Sequence, residues 1–493
     1  MSHGLNSSAT ARAAVLSIDV GTSGVRAALF DDAGNQIEGA QAATRRAPGD
    51  FVELDPDLLV AEVVKTVDEL LGSSLQAAKI ETIAVSTFWH SLVGVDAAGN
   101  ATTPLLTWAD TRAVQAANEL RAEFDEREVH ARTGCRFHPS YWPAKLRWLQ
   151  RERTDWFNAT RLWLGFGEYL CLRLFGETAA SVSMASATGL FDQRACDWDP
   201  QLSAGVGVAR DQVPQINRGT ASRLTDSFAR RWAPLAQARV AVVVGDGAAN
   251  NIGGGCSTKN KIALMIGTSG AMRVVFAGEP PQKLSPALWS YRVDRERVVA
   301  GGALSDGGGL LRWLGQKFYI DPRDATTQQQ LAAFEPDAHG LTILPFWSGE
   351  RSTGWNPTAH GSIFGLRQNT TNLEIMRAAL EAIAYRFALI AEALDEVAPG
   401  AEIVATGNAL RLTPLWVQII ADVLGRPMSL AGAAEASIRG AALLALEAVG
   451  KIANIEAVPV SVDEVFEPDM QRHARYREAL ARQQDLYERL FEY

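Results

Sequence analysis

Cysteine and histidine are scarce in this sequence, and neither is spaced as a metal site or a disulfide framework. The chain has 493 residues but only four cysteines and seven histidines. No two cysteines form a C-x-x-C pair, and no histidine lies at zinc-ligand spacing from a cysteine. Sparse cysteines are typical of proteins in a reducing compartment. We therefore expect the four thiols to be free and mostly buried: Cys135, Cys171, Cys196 and Cys256.

Long hydrophobic runs and clusters of positive charge are also absent from the sequence. No stretch reaches the roughly 18 apolar residues of a transmembrane helix, and the polar N-terminus lacks the pattern of a signal peptide. The formal net charge is −9, and no run of five or more Lys or Arg residues occurs, which argues against nucleic-acid binding. These absences predict a cytoplasmic protein with neither a membrane nor a nucleic-acid partner.

The chain is too long for one ordinary domain, and it is rich in glycine. At about 100–200 residues per domain, its length predicts two or more domains. Hydrophobic residues make up 47% and charged residues 21%, a composition that excludes a disordered chain. Glycine contributes 42 of the 493 residues, above the usual level of about 7%. The glycine excess calls for a local explanation.

The tetrapeptide GTSG occurs twice, each time between two short apolar runs. Residues 14–30 (AVLSIDVGTSGVRAALF) and residues 261–276 (KIALMIGTSGAMRVVF) each predict a strand, a turn and a second strand. The two turns, at 21–24 and 267–270, lie half a chain apart, and an arginine and an apolar run follow each of them. This repetition predicts two domains built on one topology.

Further patterns support an α/β class, because strands alternate with long helical stretches in both halves. The strand patterns at 81–89 and 401–409 form a second, weaker pair, and the polar segment 256–261 marks the expected boundary between the domains. Residues 372–397 predict a long helix that begins with a capping box of Thr371 and Glu374. The charged, amphipathic tail at 472–493 predicts a helix used for packing or for forming a homodimer.

The first GTSG turn carries groups that suit a phosphate and a metal ion. Backbone N–H groups of a tight glycine turn surround anions, and the hydroxyls of Thr22 and Ser23 add donors. Asp19, at the end of the first strand, is a candidate ligand for Mg²⁺, and Arg26 supplies positive charge. An ordinary β-hairpin is the alternative for this motif alone.

The second GTSG turn lacks the preceding aspartate, since Met265 and Ile266 stand there. Two phosphate-type turns in related halves suggest a nucleotide held in a cleft between two domains. The sequence contains no G-x-x-x-x-G-K-[ST] motif and no convincing G-x-G-x-x-G after a first strand. The first absence excludes a P-loop protein, and the second counts against a dehydrogenase.

A run of valines at 242–244 ends in Gly245 and Asp246, followed by a predicted helix. An aspartate at such a position is most often a helix N-cap. The alternative is a general base whose carboxylate faces the cleft between the domains. A kinase needs an acceptor for the proton of the substrate hydroxyl, a metal ion and aligned phosphates. Asp246 would be that acceptor.

Together these segments resemble the FGGY carbohydrate kinase family. The motifs IDVGTSGVR, GDGAANN, IGTSG and GERSTGWNPTAHGSIFGL occur in the family's order and spacing, over roughly residues 14–450. The resemblance implies the actin/hexokinase-like, ribonuclease H-like ATPase fold, with two α/β domains and an interdomain cleft. It implies a sugar-binding domain with the catalytic base at 13–256, a nucleotide-binding domain at 261–450 and a C-terminal helical extension at 451–493.

The resemblance also implies roles for single residues. Asp246 matches the family's catalytic base, and Asp19 matches the residue that meets Mg²⁺ and the transferred phosphate. The adenine-binding loop of the family usually has two or three consecutive glycines, whereas here Gly407 is followed by Asn408 and Ala409. The implied contacts with ATP are Gly21, Thr22, Ser23, Arg26, Gly267, Thr268, Gly308, Gly407 and Asn408.

Two further motifs supply candidates for the sugar site, namely Trp89 and His90 in STFWHSLVGVD, and Trp108 and Asp110 in TWADTRA. Trp89 stands where the family usually has methionine. Histidine can hydrogen-bond sugar hydroxyls, and tryptophan can stack on a sugar. An isolated histidine is otherwise more often structural, and Asp110 with Arg112 equally suits a structural ion pair.

Within the family, the sequence is most similar to gluconate kinases. The pairs His90-Ser91 and Asp246-Gly247 favour them, whereas Asp306 places a carboxylate that does not favour a nearby anionic sugar acid. The favoured function is therefore ATP- and Mg²⁺-dependent phosphorylation of D-gluconate to 6-phosphogluconate. Kinases of xylulose, ribulose or another polyol are the alternatives within the family. A non-catalytic nucleotide-binding regulator is the alternative from another class.

Overall fold

Two large mixed β-sheets, one from each half of the chain, form the framework of this computed structural model. The structure describes residues 15–46, 51–72, 80–217, 222–432 and 435–491. The N-terminal half contains the strands β1 (Val15–Gly21), β2 (Gly24–Phe30), β3 (Gln36–Arg45), β4 (Glu53–Leu54), β5 (Thr82–Thr87), β6 (Val93–Val95), β7 (Leu105–Leu106), β8 (Leu162–Leu164), β9 (Phe191–Asp192), β10 (Asp197–Trp198), β11 (Ser222–Arg223) and β12 (Arg239–Gly245). Its helices are α1 (Pro56–Gly72), α2 (Val114–Glu123), α3 (Glu126–Thr133), α4 (Trp142–Glu152), α5 (Thr154–Ala159), α6 (Phe166–Phe175), α7 (Val182–Ser186), α8 (Pro200–Gly205), α9 (Asp226–Arg231) and α10 (Asp246–Gly253).

The C-terminal half has the same alternation of strands and helices. Its strands are β13 (Lys261–Ile266), β14 (Gly270–Ala277), β15 (Trp289–Arg292), β16 (Arg297–Leu304), β17 (Thr342–Leu344), β18 (Ser362–Phe364), β19 (Glu402–Thr406), β20 (Met428–Ala431) and β21 (Val462–Phe466). Its helices are α11 (Gly308–Phe318), α12 (Ala325–Ala332), α13 (Asn372–Leu394), α14 (Asn408–Arg411), α15 (Pro414–Leu424), α16 (Ala436–Ala448) and α17 (Met470–Phe491).

The two sheets share a core topology. The N-terminal sheet has the order β11-β12-β5-β1-β2-β3, and the C-terminal sheet has the order β15-β16-β14-β13-β19-β20-β21. In each sheet a GTSG hairpin, β1–β2 or β13–β14, pairs in parallel with a later strand, β5 or β19. These later strands are the ones that the second, weaker sequence pair predicted. The prediction of an α/β fold is confirmed; Ala14, at the start of the first predicted hairpin, lies outside the described residues.

Apolar residues of both halves bury the sheets. Strand β1 is almost wholly buried because helices cover both of its faces, which explains its continuous apolar run. Helix α13 is buried along nearly its whole length against the C-terminal sheet. Its capping box is confirmed, since Thr371 Oγ1 accepts from the Glu374 N–H and the Glu374 carboxylate accepts from the Thr371 N–H. The helix ends at Leu394, three residues before the predicted end.

Helix α17 packs against the C-terminal half. The Arg377 guanidinium of α13 donates to Tyr476 Oη at 2.7 Å, and Gln483 Nε2 donates to the carbonyl of Ile343 at 2.8 Å. The predicted tail helix at 472–493 is therefore a packing element, and its last two residues lie outside the described part.

Within the described residues, no helix combines the length and the apolar character that a membrane crossing requires. All four cysteines are free, and three of them are buried, as the sequence predicted.

Helices α10 and α16 cross in direct backbone contact and join the two halves. A Cβ atom on Gly253 would lie 1.8 Å from the carbonyl oxygen of Ala436, and one on Gly440 would lie 1.8 Å from that of Ala249. Helix α16 comes from the C-terminal half, yet it packs on the N-terminal sheet, where Ser17 Oγ donates to the carbonyl of Ile438 at 2.7 Å. The crossing fixes α10 and the cleft end of α16 relative to each other.

We predict that Gly440→Ala destabilises the protein by about 1–3 kcal/mol, because the added methyl group must displace backbone. Helix propensity alone predicts the opposite sign, since alanine is the better helix former by about 1 kcal/mol. Gly72→Ala is the matched control, because a Cβ at that exposed helix end meets nothing within 4 Å. Urea denaturation measures both variants, and a Gly440→Ala protein as stable as the wild type would contradict the close crossing.

Candidate active site

A cavity of about 960 Å³ lies between the two halves and collects most of the residues that the sequence singled out. Strand β1 and the first GTSG turn form one wall, and the second turn with the start of α11 forms the opposite wall. The predicted residues that line this cavity are Asp19, Gly21, Thr22, Ser23, Arg26, Trp108, Asp246, Gly267, Thr268, Gly308 and Gly407. Asn408 begins α14, but its side chain lies outside the described part of the structure.

The second GTSG turn is held against the first turn of α11. The N–H of Gly308 donates to the carbonyl of Gly267 at 3.0 Å, and the N–H of Gly309 donates to that of Thr268 at 2.9 Å. A Cβ on Gly308 would lie 2.6 Å from the Gly267 carbonyl oxygen, so this close approach requires glycine. Gly407 has φ of +94° and touches the end of β13 in the same way. Glycines thus bring three backbone segments together at the cavity wall: the end of β13 with its turn, the start of α11 and the loop at Gly407.

Asp19 offers a buried carboxylate oxygen to the same cavity. It pairs across the hairpin with Arg26, whose Nη1 lies 3.5 Å from Asp19 Oδ2, and Arg26 Nε lies 3.2 Å from the carboxylate of Glu435. Asp19 Oδ1 is buried without a hydrogen bond of normal geometry among the described residues. Burial raises the pKa of Asp19 to about 6, although Ser86 lies close enough to lower this pKa in part. A buried, unpartnered carboxylate oxygen beside a phosphate-type turn fits a ligand of Mg²⁺.

Asp246 lies where the large cavity meets a smaller one of about 80 Å³. It is the first residue of α10, and Gly245 occupies the N-cap position with no side-chain cap, so the N-cap interpretation of Asp246 is wrong. Burial raises the pKa of Asp246, and the guanidinium of Arg273 lowers it only in part. A partly buried carboxylate with a raised pKa, open to two adjoining cavities, has the properties of a general base.

Aromatic side chains from both halves form the wall of the smaller cavity. Trp289 and Tyr291 of β15 stack with ring centroids 4.3 Å apart, and Trp89 meets Tyr291 edge-on at 5.2 Å. The wall also includes His90, Trp108, Tyr141 and Trp355. Of the residues predicted for the sugar site, Trp89, His90 and Trp108 therefore lie together beside Asp246.

His90 is a neutral residue in a strained turn at this cavity. Its φ is +66°, and its Nδ1–H donates to the carbonyl of Ala187 at 2.6 Å, which leaves Nε2 as an acceptor. Burial lowers the pKa of His90 to about 3. Lys145 Nζ donates to the carbonyls of His90 and Ser140, at 2.8 Å and 2.7 Å, and holds the turn in place. His90 therefore offers an uncharged hydrogen-bond acceptor, Nε2, at neutral pH.

Comparison with known proteins agrees with this geometry. The N-terminal domain of the FGGY family of carbohydrate kinases matches residues 14–253, and the C-terminal domain of that family matches residues 262–449. The chain belongs to the FGGY family of carbohydrate kinases. It is a phosphotransferase of the class that uses ATP to phosphorylate a sugar hydroxyl.

Two curated relatives and one solved structure resemble this kinase over nearly their whole length. A gluconokinase of Bacillus licheniformis is 30% identical, with 90% of this chain and 89% of the relative covered. A xylulose kinase of Escherichia coli strain K12 is 27% identical, with 96% and 99% covered. The crystal structure of a gluconate kinase from Lactobacillus acidophilus has a TM-score of 0.87 at 24% identity, with 97% and 98% covered.

Asp110 lies in neither of the two cavities of the kinase. Its carboxylate accepts from Arg112 Nε at 2.9 Å and from Arg112 Nη2 at 2.7 Å, and Arg112 also pairs with Glu53 and covers the ring of Trp148. This arrangement is the structural ion pair that the sequence left open. The sugar contact predicted for Asp110 is therefore not supported by its position.

Two arginines at the smaller cavity, Arg273 and Arg351, were missed as site residues. Arg273 is the arginine that follows the second GTSG turn, and Arg351 belongs to the GERSTG segment, so both stood in motifs already noted. Asp306, by contrast, is turned away: its carboxylate accepts from the N–H and Oγ of Ser348 at 2.7 Å and 3.0 Å. It lines neither cavity, but its carboxylate acts on Arg351 and opposes the fall that burial causes in the pKa of that arginine.

Trp89 explains why glycine flanks Asp246 on both sides. A Cβ on Gly245 would lie 1.8 Å from Trp89 Cε2, and one on Gly247 would lie 2.5 Å from Trp89 Cζ3 and 2.9 Å from Arg273 Nε. The indole is fixed by its own hydrogen bond, because Nε1 donates to the carbonyl of Ser183 at 3.1 Å. The indole of Trp89 fills the space that side chains at positions 245 and 247 would need. Trp89 and the Gly-Asp-Gly segment therefore depend on each other.

We predict that Gly245→Ala destabilises the kinase by about 1–3 kcal/mol through its overlap with Trp89. We expect the destabilisation by Gly245→Ala to be smaller in a Trp89→Met background, because the flexible methionine side chain leaves room for the added methyl group. Thermal and urea denaturation of both single variants and the double variant complete the cycle. Strictly additive effects would contradict the contact between these two positions.

Proposed function

We propose that this kinase transfers the γ-phosphoryl group of ATP to a hydroxyl of D-gluconate, giving 6-phosphogluconate and ADP. The observation that carries the proposal is the position of Asp246, a partly buried carboxylate between a cavity lined by two phosphate-type turns and a cavity lined by aromatic and hydrogen-bonding side chains that suit a sugar. The similarity to gluconokinases favours gluconate over other members of the substrate class. The acid–base role of Asp246 distinguishes an enzyme from a nucleotide-binding regulator, which needs no such base.

The two halves divide the substrates between them in this proposal. Residues 13–256 supply the base and the sugar contacts Trp89, His90 and Trp108, and residues 261–450 supply the nucleotide site and part of the wall of the smaller cavity. The turn residues Gly21, Thr22 and Ser23 with Arg26 meet the transferred phosphate. On the opposite wall, the contacts with the nucleotide are Gly267, Thr268, Gly308, Gly407 and Asn408.

Asp19 would hold Mg²⁺ through its unpartnered Oδ1 atom. The ion supplies positive charge that offsets the charge of the ATP phosphates. Arg26 restrains the carboxylate from the other side, through Oδ2, and is itself held by Glu435. The carboxylate is thus kept in place while one oxygen stays free for a ligand.

The reaction follows from the place of Asp246. The sugar hydroxyl oxygen attacks the γ-phosphorus and its proton passes to the Asp246 carboxylate, while the bond to the β-phosphate oxygen breaks and ADP leaves. The proton then returns to solvent from Asp246. The aromatic wall of the smaller cavity excludes water, which limits transfer of the phosphoryl group to water instead of the sugar.

A substrate panel tests this function. We expect ADP release with ATP and Mg²⁺ to rise most with D-gluconate, and less with xylulose, ribulose or glycerol. Asp246→Asn is the matched control: we expect kcat to fall by about 10²–10⁴-fold while ATP still binds, because only the base is removed. Stimulation by no member of the panel would contradict kinase activity. Stimulation by xylulose but not by gluconate would overturn the substrate alone.

The raised pKa of Asp246 predicts the acid side of the pH–rate profile. Only the carboxylate form accepts the proton, so kcat falls as the pH is lowered through the raised pKa. The fall should therefore lie above the ordinary aspartate pKa of about 3.9. Measurement of kcat at saturating substrate, with circular dichroism as a check on folding, locates it. A constant kcat down to about pH 4 would disagree with the buried setting of this base.

A further inference from the structure

The smaller cavity carries more positive than negative charge. Arg273 and Arg351, here called the arginine pair, both line it, whereas Asp246 is the one carboxylate that lines it within the described part of the chain. Lys145 lies nearby, but its ammonium group donates hydrogen bonds to the backbone carbonyls of His90 and Ser140. With Asp246 ionised, the cavity wall therefore has one positive charge in excess.

Arg273 has unused hydrogen-bond donors at this wall. Its side chain is 7% exposed, and its Nε and Nη1 atoms are buried without a hydrogen-bond partner among the described residues. Burial lowers its pKa to about 10, so the guanidinium stays protonated at neutral pH. A buried cationic donor without a partner is unfavourable, which indicates that a ligand completes it.

The backbone around Arg273 is shaped to admit the guanidinium. A Cβ on Gly247 would lie 3.1 Å from Arg273 Cζ, and one on Gly301 would lie 3.0 Å from Arg273 Cγ. The backbone carbonyl of Arg273, on strand β14, accepts a hydrogen bond from Asn251 Nδ2 of α10 at 2.9 Å. This bond fixes the strand beside the helix. The side chain is thus held at the cavity by packing, without an ion pair to any described carboxylate.

Arg351 approaches from the segment between β17 and β18. Its Nη2 donates to the carbonyl of Leu304 at 2.9 Å, its guanidinium lies 4.8 Å from the ring centroid of Trp108, and its Nε is buried without a partner in the described chain. The neighbouring carboxylate of Asp306 is engaged with Ser348. Arg351 therefore forms no ion pair with a described carboxylate, although the charges of Asp246 and Asp306 act on it from a distance.

The phenolic groups at the cavity do not neutralise this charge. Tyr141 and Tyr291 lie with their hydroxyl oxygens 2.6 Å apart, and burial raises both pKa values well above the ordinary tyrosine value, so both stay neutral. His90 is neutral as well. The cavity thus complements an anion that also carries hydroxyl groups.

We propose that the arginine pair binds the carboxylate of the substrate and makes this kinase selective for sugar acids over neutral sugars and polyols. This inference rests on the proposed function, and it names the groups that set the substrate class. The planar guanidinium of arginine matches the two oxygens of a carboxylate, and the positive charge compensates the negative charge of the acid. A polyol of the same length would leave the donors of the arginine pair unpaired.

The test compares D-gluconate with D-glucitol, in which a CH₂OH group replaces the carboxylate, in the wild type, Arg273→Gln and Arg351→Gln. We expect each variant to lower kcat/KM for gluconate by roughly 10- to 100-fold, mostly through KM. For glucitol the value should change little. Arg295→Gln, an exposed arginine that lines neither cavity, is the control for lost positive charge. Arg273→Lys keeps the positive charge but loses the planar, two-pronged guanidinium, so its kcat/KM for gluconate should lie between those of the wild type and Arg273→Gln.

Calorimetry of gluconate and glucitol binding without ATP separates this inference from the proposed function. Wild-type protein that binds gluconate no more tightly than glucitol would overturn the role of the arginine pair, whatever its turnover. Gluconate turnover with an unchanged gluconate-to-glucitol ratio in both variants would overturn that role and leave the kinase function standing. Equal losses of kcat with both substrates would place the arginines at the phosphoryl group instead. Circular dichroism confirms that each variant is folded.

Discussion

The direct backbone contact of helices α10 and α16 at Gly253 and Gly440 is the constraint on which the rest of the site depends. Helix α10 begins with Asp246, and the residues at the start of α16 form part of the wall of the larger cavity. Because α16 comes from the C-terminal half but packs on the N-terminal sheet, one helix crossing fixes Asp246 relative to both cavities. Only residues without a side chain allow this approach, so the glycine excess of the sequence has a structural cause here and at the two turns.

Burial then gives the charged groups of the site their properties. Arg273 is buried and Asp246 is partly buried. Desolvation raises the pKa of Asp246 and lowers the pKa of Arg273, while the charge of each residue partly offsets the shift of the other. Aromatic rings line the cavity around them, and electrostatic interactions are stronger where such rings replace solvent. The proposed selectivity for an anionic substrate depends on this setting.

The sequence predicted the features that follow from local patterns. The repeated hairpins, the capped helix α13 and the aspartate after a valine strand all depend on residues close together in the chain, and the structure places each of them as expected. The roles of Asp110, Asp306 and the arginine pair could not be predicted from local patterns. Whether a carboxylate or guanidinium is free depends on partners distant in sequence, such as Ser348 for Asp306, and on burial that only the packed cavity creates.

A crystal structure of the Asp246→Asn variant with D-gluconate and a non-hydrolysable ATP analogue tests the central claim most directly. We expect a gluconate hydroxyl to lie within hydrogen-bond distance of the side chain at position 246 and in line with the γ-phosphate. We also expect the sugar chain to lie among Trp89, His90 and Trp108. A gluconate molecule bound elsewhere, or one whose hydroxyls all lie away from position 246, would contradict it.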